Sequence, residues 1–354
     1  GLPDSFRNAY ISADTLGHGM HWSTILPRGS TVSTAHGGDF LVSNDAWFAP
    51  CDVTTGPDGA IYVCDWHDAR TAHPDPDAEW DRTNGRIYRI AMKPTSLAPA
   101  LRRGEPSVKG SSKDSTNQMA PRFEDLRTQS TASLIALHSH ANDWFVRRAR
   151  RVLTERRDPE AILPLRSLVT SGTDSQQRLE TLWTLISCGG LTDRLAIALL
   201  RDPDPFVRRA VVQALGDEPQ LSSEAVRDLM SLAERETSEP VRAQLATTAR
   251  RLPSSRAIAL VQKLASRDVD NTDPFLPLLN WWAVEAHADE ELTAITRWMC
   301  ESVASPQVIV RETILPRFVR RCAAVGNARQ LIAAATILKS MNDQSQSLAV
   351  LDQI

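Results

Sequence analysis

The dipeptide Val-Arg returns through the second half of the chain. It stands at Val146-Arg147, Val207-Arg208, Val241-Arg242 and Val310-Arg311, at separations of 61, 34 and 69 residues. Gln177-Arg178 fills the first gap, and Phe275-Leu276 falls near the middle of the last. A period of about 31–35 residues holds two short helices and a turn, a unit that cannot bury its apolar face alone. Such units must stack on their neighbours, so residues 130–354 are expected to form an α-solenoid. Acid-Pro pairs punctuate the same region at Asp158-Pro159, Asp202-Pro203, Asp204-Pro205, Glu239-Pro240 and Asp273-Pro274. Proline fits a first helical turn, and the acid before it suits a helix N-terminus. Ser130 is expected to cap one helix carrying Leu134, Ile135 and Leu137. Asp143 is expected to cap the next, with Val146, Ala149, Val152 and Leu153 on one face.

Residues 1–93 follow another rule. They hold four of the nine tryptophans and five of the eight histidines. Thr31-Val32-Ser33-Thr34 and Phe40-Leu41-Val42-Ser43 flank His36-Gly37-Gly38-Asp39, which reads as a turn. Cys51-Asp52-Val53-Thr54 and Ala60-Ile61-Tyr62-Val63 flank Gly56-Pro57-Asp58-Gly59, and Arg86-Ile87-Tyr88-Arg89-Ile90 alternates as a half-buried strand does. Short strands with regular turns point to an all-β unit, such as a sandwich sheet or a propeller blade. A hairpin centred between Pro57 and Asp58 would set Cys51 directly opposite Cys64, close enough for a disulfide in an oxidising compartment. Residues 94–129, broken by Pro94, Pro99, Pro106 and Pro121, read as a Pro/Ser-rich linker.

The fold class is therefore mixed, β then α. With 40 Lys+Arg against 43 Asp+Glu, a net charge of −3 argues against nucleic acid as a partner. No apolar run reaches the ~18 residues of a membrane span. Five cysteines, none in C-x-x-C or C-x-x-C-H spacing, leave no zinc ribbon and no haem motif. Dinucleotide, P-loop, metalloprotease and serine-hydrolase signatures are absent too. The chain opens Gly1-Leu2-Pro3-Asp4 without Met, which reads as a mature form or a fragment, any export signal lying upstream.

Asp204-Pro205-Phe206-Val207-Arg208-Arg209-Ala210 resembles a HEAT repeat, with partial copies at Asp143-Trp144-Phe145-Val146-Arg147 and Glu239-Pro240-Val241-Arg242. A narrower resemblance spans most of residues 1–320. Trp47-Phe48-Ala49-Pro50-Cys51-Asp52-Val53, the run Gly56 to Trp66, and Asp81-Arg82-Thr83-Asn84-Gly85-Arg86-Ile87-Tyr88-Arg89-Ile90 look like a final β-propeller blade. Asn142-Asp143-Trp144 and Trp281-Trp282-Ala283-Val284-Glu285 look like the array behind it. Together they resemble the putative membrane-bound dehydrogenase family of planctomycetes and verrucomicrobia, whose propeller is similar to that of sugar and sorbosone dehydrogenases. The resemblance implies a partial β-propeller followed by HEAT-like repeats, from an exported, periplasmic or cell-surface protein. It also implies a parent that uses pyrroloquinoline quinone and Ca²⁺, with the missing blades as partners and the catalytic residues upstream.

Several residues are candidates for chemistry or contact. Asp65, His67 and Asp68 open an acidic loop that also holds His73, Asp75, Asp77, Glu79 and Asp81; they read as a solvated loop, with metal ligation as the alternative. Arg86 can clamp a quinone carboxylate or form a cross-strand ion pair. Arg147, Arg178, Arg208, Arg242 and Arg311 read as a structural ladder between repeats, with an acidic protein partner as the alternative use. The expected function is a non-catalytic scaffold or interaction module. The alternative is a fragment of a quinone-dependent sugar dehydrogenase.

Overall fold

The computed structural model describes residue 6 and residues 8–69, 83–91, 125–218, 220–303, 306–341 and 344–351. Most of the linker expected at 94–129, up to residue 124, therefore lies outside the described residues. Contacts divide the chain into two compact units, 1–26 with 33–157, and 27–32 with 158–354.

Among the described residues, six strands form two antiparallel sheets. β1 (Ala9–Asp14), β2 (Gly19–Arg28) and β3 (Thr31–Val42) lie in that order in one, and β4 (Pro50–Thr55), β5 (Ile61–Asp65) and β6 (Arg86–Ile90) in the other. Ile61 and Val63 alternate inward from β5 and join Met20 and Phe48 in a small core. Ile11, Phe40, Leu41, Val53 and Ile90 pack against that core. Among the described residues these are open sheets and no closed ring of blades.

Two sequence expectations about turns are corrected. His36-Gly37-Gly38-Asp39 is not a turn: β3 runs through it as one strand of 12 residues. A β-carbon on Gly37 would overlap the Trp22 indole, so glycine here admits a tryptophan against the backbone. The β4–β5 connection has three loop residues, not two. Gly59, at φ +72°, follows Pro57-Asp58, and Gly56 N–H donates to Ala60 O at 2.9 Å. That extra residue moves the register by one, so Asp52, not Cys51, pairs with Cys64. A bulge between Pro50 and Asp52 then takes up Cys51.

The helices begin with α1 (Thr131–Ala136) and α2 (Asp143–Arg156), which belong to the same unit as the sheets. Ser130 caps α1 as expected, accepting from Ser133 N–H. The cap of α2 is Asn142, one residue before the expected Asp143, and it accepts from Trp144 N–H at 3.0 Å. Its side-chain amide donates to Gly56 O at 3.0 Å and Pro57 O at 3.2 Å. One side chain thus starts the helix and holds the β4–β5 turn.

The second unit continues with α3 (Ile162–Ser171), α4 (Ser175–Ser187), α5 (Asp193–Leu199), α6 (Pro205–Asp217), α7 (Ser223–Arg235), α8 (Glu239–Ala249) and α9 (Ser254–Ala265). Then come α10 (Leu276–Ala286), α11 (Leu292–Ser302), a π-helical segment Ile309–Ile314, α12 (Leu315–Val325), α13 (Ala328–Ser340) and α14 (Gln344–Leu351). Asp158, Asp174 and Asp204 cap their helices through side-chain oxygens, as the Asp-Pro spacing foretells for two of them. Helices α4, α6, α8 and α10 stack side by side, and so do α5, α7 and α9. The stack buries Val207, Val211, Leu229, Val241, Leu245 and Val261. No helix among the described residues is long and apolar enough to cross a membrane.

Candidate functional site

Three of the five expected ladder arginines form a continuous chain of ion pairs between repeats. Arg178 on α4 donates to Val169 O at 2.9 Å and pairs with Asp202, just beyond α5. Arg208 on α6 donates to Glu236 at 2.6 and 2.7 Å, and to Asp202 O at 2.8 Å. Arg242 on α8 forms a forked pair with Asp270 and donates to Glu236 O at 3.2 Å. Each arginine reaches the acid that closes the first helix of the next repeat, and Arg208 and Arg242 also bond the backbone carbonyl of the previous acid. Arg242 and Asp270 are 2% and 1% exposed, so this pair lies in the core. Burial pushes the Glu236 carboxyl up. The Arg208 guanidinium, with the N–H groups of Ser238 and Thr237, outweighs that and holds it below the usual range.

The other two expected rungs have different surroundings. Arg147 has its Nε 3.5 Å from Asp143 O in its own helix and lines a cleft of about 600 Å³ with Tyr10, Ile11, Thr54 and Asn142. Arg311 lies in the π-helical segment, where the repeat geometry is lost, and donates to its neighbour Glu312 at 3.1 Å. In the repeat that follows Asp273, Leu276-Pro277 stands where the others carry Val-Arg, and Asp273 takes another task. It accepts from Phe275 and Leu276 N–H at 2.9 Å and from Ser30 N–H and Oγ at 2.6 Å.

A second row of arginines was not read from the sequence. Arg235, ending α7, donates to Leu200 O at 3.1 Å, and Arg267, beyond α9, donates to Glu236 O at 2.8 Å and to Glu234 O. These guanidinium groups satisfy carbonyls at the end of the preceding repeat's first helix. The signal was present as Arg201, Arg235 and Arg267, at separations of 34 and 32 residues.

In the β region, Asp65 and His67 do come together, with His67 Nδ1 3.4 Å from Asp65 Oδ2. Their work is structural. Asp65 Oδ1 accepts from Ala49 and His67 N–H at 2.8 Å, and His67 stands at φ +53°. Asp65, His67 and Asp68 do not converge as a donor set, and Arg86 Nη1 sits 3.0 Å from His67 Nδ1. A fixed cation there opposes a metal. Of the two uses expected for Arg86, the structure shows the ion pair: its Nη1 is engaged by His67, by Asp45 at 3.6 Å and by Tyr88 at 3.4 Å. His73, Asp75, Asp77, Glu79 and Asp81 lie outside the described residues. Cys51 and Cys64 are exposed free thiols, displaced by the bulge, with Cys51 Sγ donating to Cys64 O at 3.5 Å.

Another cluster escaped the sequence reading. Among the described residues, the group of His, Cys, Asp or Glu donors that converges is His21, His36 and Asp39, whose ligand atoms lie within 4.8 Å of one another. His21 Nδ1 is 3.0 Å from Asp39 Oδ1, and its Nε2 is 3.1 Å from Asp14 Oδ2. The hydrogen bond to Asp14 raises the His21 pKa; the Gly17 N–H and then His21 lower that of Asp14. His36-Gly-Gly-Asp39 was the available signal, hidden by its likeness to a turn.

Residues 1–94 match a family model described as a domain of unknown function (DUF7133), and residues 192–273 match HEAT repeats. Comparison with curated proteins finds no match. Among solved structures, the complex of CpcE and CpcF of phycocyanin lyase from Nostoc sp. PCC7120 is similar at 17% identity and a TM-score of 0.34. That alignment covers 70% of this chain and 98% of the other. A likeness so loose carries no functional conclusion. Small N-terminal β-sheets are thus followed by a helical repeat region with HEAT repeats at 192–273.

Proposed function

We propose that the chain is a scaffold and interaction module, its helical stack a preset surface for protein contact. The observation that carries this reading is the ion-pair chain from Arg178 through Asp202, Arg208, Glu236 and Arg242 to Asp270. Such pairs fix the angle between repeats by geometry, since a forked guanidinium–carboxylate contact tolerates little rotation. The acids and arginines best placed for chemistry are consumed in holding the stack.

As part of the same proposal, the module belongs to a larger, exported dehydrogenase-like protein, and further propeller strands complete its β region. The blade-like motifs between Trp47 and Ile90 support this, as do the exposed apolar residues Val42 and Ile87 on β3 and β6. Mixing the chain with pyrroloquinoline quinone, Ca²⁺, a panel of sugars and an artificial electron acceptor tests the reading. No acceptor reduction above buffer is expected, and crosslinking in the native extract should join partner peptides to the 158–354 helices. Turnover by the chain alone would overturn it.

A further inference from the structure

We propose that His21, His36 and Asp39 form a binding site for a zinc-class divalent transition-metal ion. The site depends on how the backbone runs between β2 and β3. In a regular strand side chains alternate, so His36 and Asp39, three residues apart, would face opposite ways. Both nevertheless reach His21: its ring lies 5.5 Å from the His36 ring, and its Nδ1 is 3.0 Å from Asp39.

Gly37 and Gly38 supply the reason. Gly38 has φ +129°, a conformation that side-chain-bearing residues rarely adopt, and the Trp22 indole covers Gly37 where a β-carbon would stand. Beyond this irregularity the alternation is reset. Phe40 returns to the Trp22 side, where Phe6 touches both rings edge-on at 5.3 and 5.4 Å. Asp39 is left beside His21 and His36. The Gly-Gly pair therefore turns a hydrogen-bonded strand pair into a three-donor cluster.

The donor chemistry selects the ion. Two imidazoles and one carboxylate suit zinc and its neighbours in the first transition row, whereas Ca²⁺ takes six to eight oxygens. A tetrahedral ion with bonds of about 2.0–2.1 Å sets its donors about 3.3 Å apart. His21 Nδ1 and Asp39 Oδ1 are already near that spacing. His36 and Asp39 are exposed, so their side chains are free to close the remaining distance. Asp14 completes the arrangement: it binds the far nitrogen of His21, as a carboxylate behind a metal-bound histidine does, and leaves Nδ1 to the ion. Three protein donors leave a fourth position open to water or to a group from a partner.

Titration of the full chain with Zn²⁺ against a chromogenic chelator tests the site, in a Cys51→Ser, Cys64→Ser background so that thiols offer no rival. One Zn²⁺ per chain is expected, with a rise in melting temperature and no comparable response to Ca²⁺ or Mg²⁺. His36→Ala and Asp39→Asn should each abolish binding, and Asp14→Asn should weaken it about 10–100-fold. His140→Ala, an exposed histidine outside the cluster, should leave it unchanged. Circular dichroism without metal shows whether each variant folds, and His36→Gln replaces His36→Ala if that one does not. Failure of the parent to bind Zn²⁺ stoichiometrically, or full binding kept by a folded His36 or Asp39 variant, would overturn the proposal.

Discussion

Asn142 donates its side-chain amide to the carbonyl of Gly56 at 3.0 Å, across 86 residues of sequence. The same side chain's oxygen accepts from Trp144 N–H and so caps α2. The two jobs need different atoms, and asparagine carries both on one short stem. Asn142→Asp keeps the capping oxygen but loses the donor, so it is expected to cost about 1–3 kcal/mol. Asn142→Ala should add roughly 1 kcal/mol for the lost cap. Urea melts of the full chain, followed by fluorescence of the β-region tryptophans, read both. An aspartate variant as stable as the parent would show that the Gly56 contact contributes nothing.

The ladder predicts an order of damage. Arg242→Ala strands Asp270 in the core and is expected to cost about 3–5 kcal/mol. Arg208→Ala, at a less enclosed pair, should cost about 1–3 kcal/mol. Arg147→Ala and Arg311→Ala should change stability by no more than about 0.5 kcal/mol. Replacing Arg242 and Asp270 together by methionine and leucine should recover much of the loss, because no charge is then left alone. Chemical denaturation of the five proteins separates these outcomes. Equal losses at Arg242 and Arg311 would remove the distinction between rung and surface residue.

Acid should act on Glu236. Its folded-state pKa lies below the ordinary glutamate value, because Arg208 and two N–H groups outweigh burial. A depressed carboxyl contributes stability above its unfolded pKa, about 4.3, and loses it as pH falls through the lower folded value. Glu236→Gln should therefore lower the melting temperature at pH 7 and flatten its fall as the pH drops below the unfolded value of about 4.3. A parallel acid limb in parent and variant would assign the acid response to other groups.

The Gly29-Ser30 turn between β2 and β3 depends on a glycine. Gly29 has φ +56°, and a β-carbon there would overlap the Asp273 carboxylate, which also holds Ser30. Gly29→Ala meets both penalties and is expected to destabilise by roughly 1–3 kcal/mol. Pairing it with Asp273→Ala should remove the steric share, so the double variant should lose less than the two single losses combined. Strict additivity in thermal melts would show that Gly29 is constrained by its backbone alone.

The helical half could be read directly from the sequence. Spacing of about 34 residues, Asp-Pro starts and apolar periodicity are local signals, and they predicted the helices, the Ser130 cap and the rungs at Arg178, Arg208 and Arg242. A repeat constrains its own neighbours, so what is true of one copy extends to the next until the π-helical segment at Ile309–Ile314 breaks the phase. Arg147 and Arg311 carry the same dipeptide without the same surroundings, which a dipeptide cannot express. In the β region local signals misled. Gly37-Gly38 has the composition of a turn, and only Trp22 lying across it makes it the middle of a strand. One residue of loop length moved Cys51 out of register with Cys64. Sequence alone determined that the chain pairs strands and then stacks helices, because both follow from periodicity. Tertiary structure alone decided that His21, His36 and Asp39 meet, because their meeting rests on a backbone irregularity in β3, next to a neighbouring strand.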